Sequence, residues 1–109
     1  MAEVFKNFNA NMTTGGVTAY TCPAATTAIV LHCQVANVDG TNAADATVRW
    51  TDDSNSDKVT RLANTIPVPA DTSLSVLTGV LVLEAGDTIV GVASADSDLE
   101  LSGSVLEIS

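Results

Sequence analysis

LVLEAGDTIVG, residues 81–91, sets two apolar runs on either side of a short acidic turn. Leu81-Val82-Leu83 is apolar on both faces, and Thr88-Ile89-Val90-Gly91-Val92 follows the break. Gly86 supplies the backbone freedom that a tight reversal needs. The stretch reads as strand, corner and returning strand, with Glu84 and Asp87 as solvated corner residues rather than a catalytic acid pair.

The same period of two runs outward in both directions. In Ile29-Val30-Leu31-His32-Cys33-Gln34-Val35, one face carries Ile29, Leu31, Cys33 and Val35. In Ala46-Thr47-Val48-Arg49-Trp50-Thr51, Val48 and Trp50 face inward, and Thr47, Arg49 and Thr51 outward. Leu99 and Leu101 alternate with Glu100 and Ser102; after Gly103 the apolar set shifts parity to Leu106 and Ile108. A glycine beside a parity change predicts a bulge in that strand. Turn signals separate these runs: Gly15-Gly16, Cys22-Pro23, Asp39-Gly40, Asp52 to Asp57, Pro67 with Pro69, Gly79, Gly86-Asp87 and Asp96 to Asp98. No window carries a convincing helical period. Strands are expected at 3–8, 17–21, 27–38, 45–52, 58–66, 73–77, 80–84, 87–94 and 98–108. Many short strands with such spacing predict an all-β fold, an antiparallel β-sandwich of jelly-roll-like form. Residues 1–15 are expected to be an N-terminal arm or first strand, able to join its own sheet or a neighbour's, and residues 16–109 a single sandwich domain.

At 109 residues and 46% hydrophobic content, the chain suits one folded core rather than disorder. Thirteen acids against four bases give a net charge of −9, which disfavours phosphate backbones and anionic membranes as partners. The opening MAEVFKNFNANMTT has no basic segment followed by an apolar core, so no signal peptide is expected and synthesis is expected in a cytoplasm. No apolar run approaches the roughly 20 residues of a membrane-spanning helix.

The reactive residues do not assemble into a site. Cys22 and Cys33 form neither a CxxC pair nor a disulfide framework, and Cys33 falls inside a strand as a buried thiol. His32, the single histidine, adjoins Cys33, so the two point to opposite faces. Asp53, Asn55 and Asp57 copy the first half of a calcium loop, but Lys58 stands where glycine is required and Asn64 where a bidentate glutamate is required. An adventitious Ca²⁺ at 52–57 is the most that loop offers. No catalytic residue, metal ligand or cofactor is expected. Function is expected to lie in the surface, with Val4, Phe5 and Phe8 of the arm and the two arginines, Arg49 and Arg61, as interface candidates.

Three segments carry a resemblance: YTCPAATTAIVLHCQVANVDGTNAADATVRW from Tyr20, RLANTIPVPADTSL from Arg61, and LVLEAGDTIVGVASADSDLELSGSVLEIS from Leu81. Together they cover about residues 20–108 and resemble small structural proteins of tailed bacteriophages. The resemblance implies a virion protein made in the host bacterial cytoplasm, most simply a capsid decoration or cement protein that binds the major capsid protein, alternatively a neck, tail or fibre-attachment protein. It brings no catalytic residues. A homo-oligomer, with a trimer favoured, is expected. A carbohydrate-binding β-sandwich is the alternative of another class; Tyr20 and Trp50 are the aromatics a sugar could stack on.

Overall fold

The computed structural model describes residues 2–109 as two packed antiparallel sheets. The strands are β1 (Glu3–Asn11), β2 (Val17–Thr21), β3 (Thr27–Asn37), β4 (Ala44–Asp52), β5 (Lys58–Val68), β6 (Ser73–Ser75), β7 (Leu81–Leu83), β8 (Thr88–Ala93) and β9 (Leu99–Ile108). One sheet runs β1-β9-β3, with β6 and β7 sharing the far edge of β3. The other runs β2-β8-β4-β5. The pairings β1·β9, β2·β8, β3·β6/β7 and β4·β5 nest inside one another, like one long hairpin folded at the β4–β5 turn. Rolling that hairpin brings β9 against β3 and β8 against β4 and closes two sheets over one core. This is a jelly roll.

The all-β sandwich expected from the alternation is what forms, and strand boundaries fall close to the expected ones. The core between the sheets holds Met12, Val30, Val35, Val48, Val68, Leu83, Ile89, Leu99, Leu101 and Val105, all fully buried. Each such side chain contributes roughly 1.5–3 kcal/mol by leaving water. Met12 sits where the chain passes from one sheet to the other; its N–H donates to the Leu99 carbonyl at 2.9 Å, and the Ala93 N–H donates to the Thr13 carbonyl at 2.9 Å. Asn37 is a buried polar residue at the end of β3 and is fully used: its Nδ2 donates to the carbonyls of Asn42 (3.0 Å) and Val68 (2.9 Å), and its Oδ1 accepts from Asp39 N–H (2.9 Å).

Three expectations are corrected. Residues 81–83 and 88–93 do not pair as a hairpin: β7 joins β3 in one sheet and β8 joins β2 and β4 in the other, so the corner between them steps across the sandwich. The strand around Gly103 has no parity change either. Leu99, Leu101, Gly103, Val105 and Glu107 all face inward. The bulge lies opposite, in β3, between Val30 and His32. It puts Ala28 and Val30 inward on one side and Cys33 and Val35 inward on the other, and turns Leu31 out to 42% exposure.

Gly103 is the residue that lets this happen. A Cβ there would collide with the His32 carbonyl oxygen of the bulge and with the Phe8 ring. Neither the backbone nor a core aromatic can give way cheaply. Gly103→Ala is therefore expected to lower stability by about 3 kcal/mol or more, measured by denaturant unfolding. Gly15→Ala, with nothing near its Cβ, should change it little.

Candidate functional site

The outer face of the β1-β9-β3-β7 sheet is divided into two halves. Register places Phe5 beside Leu106, Leu106 beside Ile29, and Ile29 beside Val82. These four side chains form one apolar row across four strands, about 14 Å wide at the usual strand spacing. Phe5 is 74% exposed and Val82 53% exposed. Leu31, pushed out by the bulge, and Ile108 extend the row along the strands. The other half of the face is polar: Asn7, Ser104 and His32 in one row, then Asn9, Ser102, Gln34 and Ser75. Leu106 and Ile108 read as core in the sequence because they are apolar on an alternating strand; they are the outer surface.

The five interface candidates do not come together. Phe5 belongs to the apolar row and Val4 is 46% exposed at the end of β1. Phe8 turns into the core, 5.8 Å from Tyr20 between ring centroids. Arg49 and Arg61 lie opposite each other on β4 and β5, on the other sheet. Arg49 Nε is buried without a hydrogen-bond partner.

At the open end of the first sheet, Glu107 faces inward and is held by two groups. Tyr20 Oη donates to its Oε2 at 2.6 Å and Lys6 Nζ pairs with its Oε1 at 2.9 Å. The Tyr20 hydrogen bond, then Lys6, hold the Glu107 carboxyl below its ordinary value of 4.5. Burial, then the Glu107 carboxylate, push the Tyr20 phenol well above its own ordinary value. Sequence reasoning missed this trio because its members are distant in the chain and Glu107 alternates with Leu106 and Ile108, which read as the inward face.

The acidic corner is also not what its sequence suggests. Asp87 is buried, 1% exposed, and not solvated. Its Oδ1 accepts the Asp53 N–H at 2.9 Å and its Oδ2 accepts the Glu84 N–H at 2.9 Å. It thereby ties the β4–β5 turn to the β7–β8 corner. Gly86, at φ +89, passes so close that a Cβ would lie 2.8 Å from Asp53 Cγ. Asp52, Glu84 and Asp87 each offer an oxygen within 4.8 Å of the others, the one such cluster among the described residues. Ser54 Oγ bridges Asp52 Oδ1 (2.9 Å) and Glu84 Oε1 (3.1 Å). One oxygen from each of three residues falls short of the six to eight calcium takes, and both Asp87 oxygens already accept backbone N–H groups. Asp53, Asn55 and Asp57, which copy half of a calcium loop in sequence, are exposed and outside the cluster.

Of the nucleophiles, Cys22 and Cys33 are free and buried. Burial pushes the Cys33 thiol up to about 12, so it stays a thiol. His32 is exposed on the opposite face. Tyr20 and Trp50 both pack against the core.

No family model and no curated protein matches the chain. Solved structures do. A protein of Bacillus endospore appendages, described as disulfide-linked pili, aligns with a TM-score of 0.59 at 12% identity, over 99% of this chain and 87% of that one. The capsid of Helicobacter pylori bacteriophage KHP30 aligns with a TM-score of 0.58 at 11% identity, over 100% of this chain and 94% of that one. The T13 particle of the virus IBDV aligns with a TM-score of 0.56 at 10% identity, over 96% of this chain but 30% of that one. The likeness is one of fold. It extends over nearly the whole of this chain in each case.

Two measurements check the site chemistry. Asp87→Ala should cost about 2–3 kcal/mol in denaturant unfolding, because two N–H groups lose a charged acceptor, and Asp87→Asn less. Glu107 has a folded pKa below its unfolded one, so its contribution is complete above about pH 5 and fades as pH falls through the folded value. The stability gap between the wild type and Glu107→Gln should be constant from pH 7 to about pH 5, and close on further acidification.

Proposed function

We propose that the chain is a non-enzymatic structural protein of a virus particle, and within that class a capsid decoration or cement protein that binds the major capsid protein of a bacteriophage and stabilises the head. One observation carries the reading: the whole chain is a bare jelly roll that aligns end to end with nearly all of a phage capsid chain. The apolar row Phe5–Leu106–Ile29–Val82 supports it as the docking face, because apolar side chains aligned across a sheet on the water side favour coverage by a partner. Many copies bound to one lattice stabilise it by mass action, each contributing a modest affinity. On the particle the copies act as a homo-oligomer, grouped as a trimer in the decoration arrangement, a contact separate from any pairing of free chains in solution.

A second reading draws on the endospore appendage likeness: a subunit of a surface filament. Neck and tail positions remain within the first reading as other places on the same particle. Imaging of particles that carry the chain separates them. Density repeated over the shell supports decoration, a single ring at one vertex places the chain in the neck, and filaments without particles favour the second reading. Phe5→Ser combined with Val82→Ser should lower particle occupancy at least tenfold while leaving the unfolding midpoint nearly unchanged, since both side chains are exposed. Unchanged occupancy would remove this face from the mechanism.

A further inference from the structure

We infer that β1 is a docking edge for a second copy of this chain, pairing antiparallel with the partner's β1 about a two-fold axis centred on Asn7. The two sandwiches then share one continuous sheet.

The first observation is a comparison of edges. An unpaired edge strand invites pairing, and folded proteins blunt it with short strands, prolines, charges or bulges. Three edges here are blunted. β2 has five residues and a register shift between Thr18 and Tyr20. β5 carries Lys58, Arg61 and Pro67, two register shifts against β4, and Thr65 at φ +52. β6 and β7 have three residues each. β1 is the least blunted of the four: it runs nine residues in unbroken register, with no proline, glycine or bulge. Its charges are Glu3 at one end and the half-exposed Lys6, which pairs with Glu107 of its own sheet at 2.9 Å.

The second observation is which backbone groups are free. Ala2 and Ser109 exchange both hydrogen bonds, at 2.8 and 2.9 Å. Antiparallel pairs alternate between bonded and non-bonded residues. Val4, Lys6, Phe8 and Ala10 therefore use their N–H and C=O on β9, while Glu3, Phe5, Asn7, Asn9 and Asn11 aim theirs away from the sheet. All five of the latter are exposed. What satisfies such a row is another extended strand.

The third is charge and register together: charge permits a second copy at this edge, and the strand's self-complementary register points to one. A chain of net charge −9 repels its own copies over most of its surface. Along β1 the sole charges are Glu3 and the neutralised Lys6. Register then follows. Centring the axis on residue 6 sets Lys6 against Lys6, which is unfavourable. Centring it on Phe5 leaves Asn9 and Asn11 unused. Centring it on Asn7 pairs Glu3 with Asn11, Phe5 with Asn9 and Asn7 with itself, so all five free residues of each copy bond and no like charges meet. Two bonds per pair over five pairs give ten.

The pairing does not depend on which particle the protein serves, and it is tested on the full chain alone. In the two-fold pair the Asn7 Cα atoms lie about 5.5 Å apart, within disulfide reach. Asn7→Cys should form a covalent dimer under mild oxidation, at least tenfold faster than Glu3→Cys, which faces Asn11 instead. Cys22 and Cys33 are buried and do not compete. Wild-type amides of Phe5, Asn7 and Asn9 should gain exchange protection as concentration rises, and Asn7→Pro should shift sedimentation from dimer to monomer without touching the β9 ladder. Three results overturn the proposal: equal crosslinking of the two cysteine variants; an odd-numbered oligomer with Asn7→Cys uncrosslinked; or a monomer whose Phe5, Asn7 and Asn9 amides stay unprotected at high concentration.

Discussion

The structure depends on β9 being bonded along both edges. It is the only route by which β1, the first strand, reaches the sheet that contains β3. Its registers with β1 and β3 are set by the same residue, Gly103, which faces Phe8 on one side and Cys33 on the other. The missing side chain makes room for the Phe8 ring and for the carbonyl of the β3 bulge at once. A bulge costs a ladder position but bends the strand. Here it also keeps two buried stretches of β3 in phase with a strand that never changes phase. The bulge ejects Leu31, and so a core-packing requirement adds an apolar side chain to the outer surface.

Much of the architecture was legible in the sequence, for a physical reason. Turn chemistry is local: Gly86, Asp39-Gly40 and Pro69 mark breaks whatever surrounds them, and alternation between those breaks marks strands. What alternation cannot reveal is which face is inside when both carry apolar residues. On β9, Leu106 and Ile108 compete with Val105 and Glu107, and a charged residue in the inward set makes the wrong choice look right. Only Tyr20 and Lys6, brought from distant strands, make Glu107 tolerable inside. Likewise, an aspartate after Ala85-Gly86 resembles any solvated turn acid. Its burial follows from the β4–β5 turn arriving above it, a long-range fact absent from the local pattern.

The candidate site was legible in kind rather than in detail. The scarcity of convergent reactive groups pointed to a surface role, and Phe5 was visible as an apolar residue amid polar neighbours. The row it belongs to was not, because Phe5, Leu106, Ile29 and Val82 come from four separate strands and meet only through register. Val4 and Phe8 flank it in sequence yet point the other way, one at the open end of the sandwich and one into its core.

Fold and charge together divide the molecule's labour. Carboxylates gather at turns, where Asp39, Asp52, Glu84 and Asp87 tie loops through backbone N–H groups or lie close to one another. Asp39 shows the effect in its own titration: the N–H groups of Thr41 and Asn42 hold its carboxyl below the ordinary range. Acids spent in this way stabilise corners, yet they still add to the net charge of −9. The sheet that carries β1, β9, β3 and β7 is spared most of that charge on its outer face. A neutral face on an acidic molecule is the part of its surface that another acidic surface can approach with least repulsion, so specificity can come from the surfaces left neutral as much as from the groups that touch.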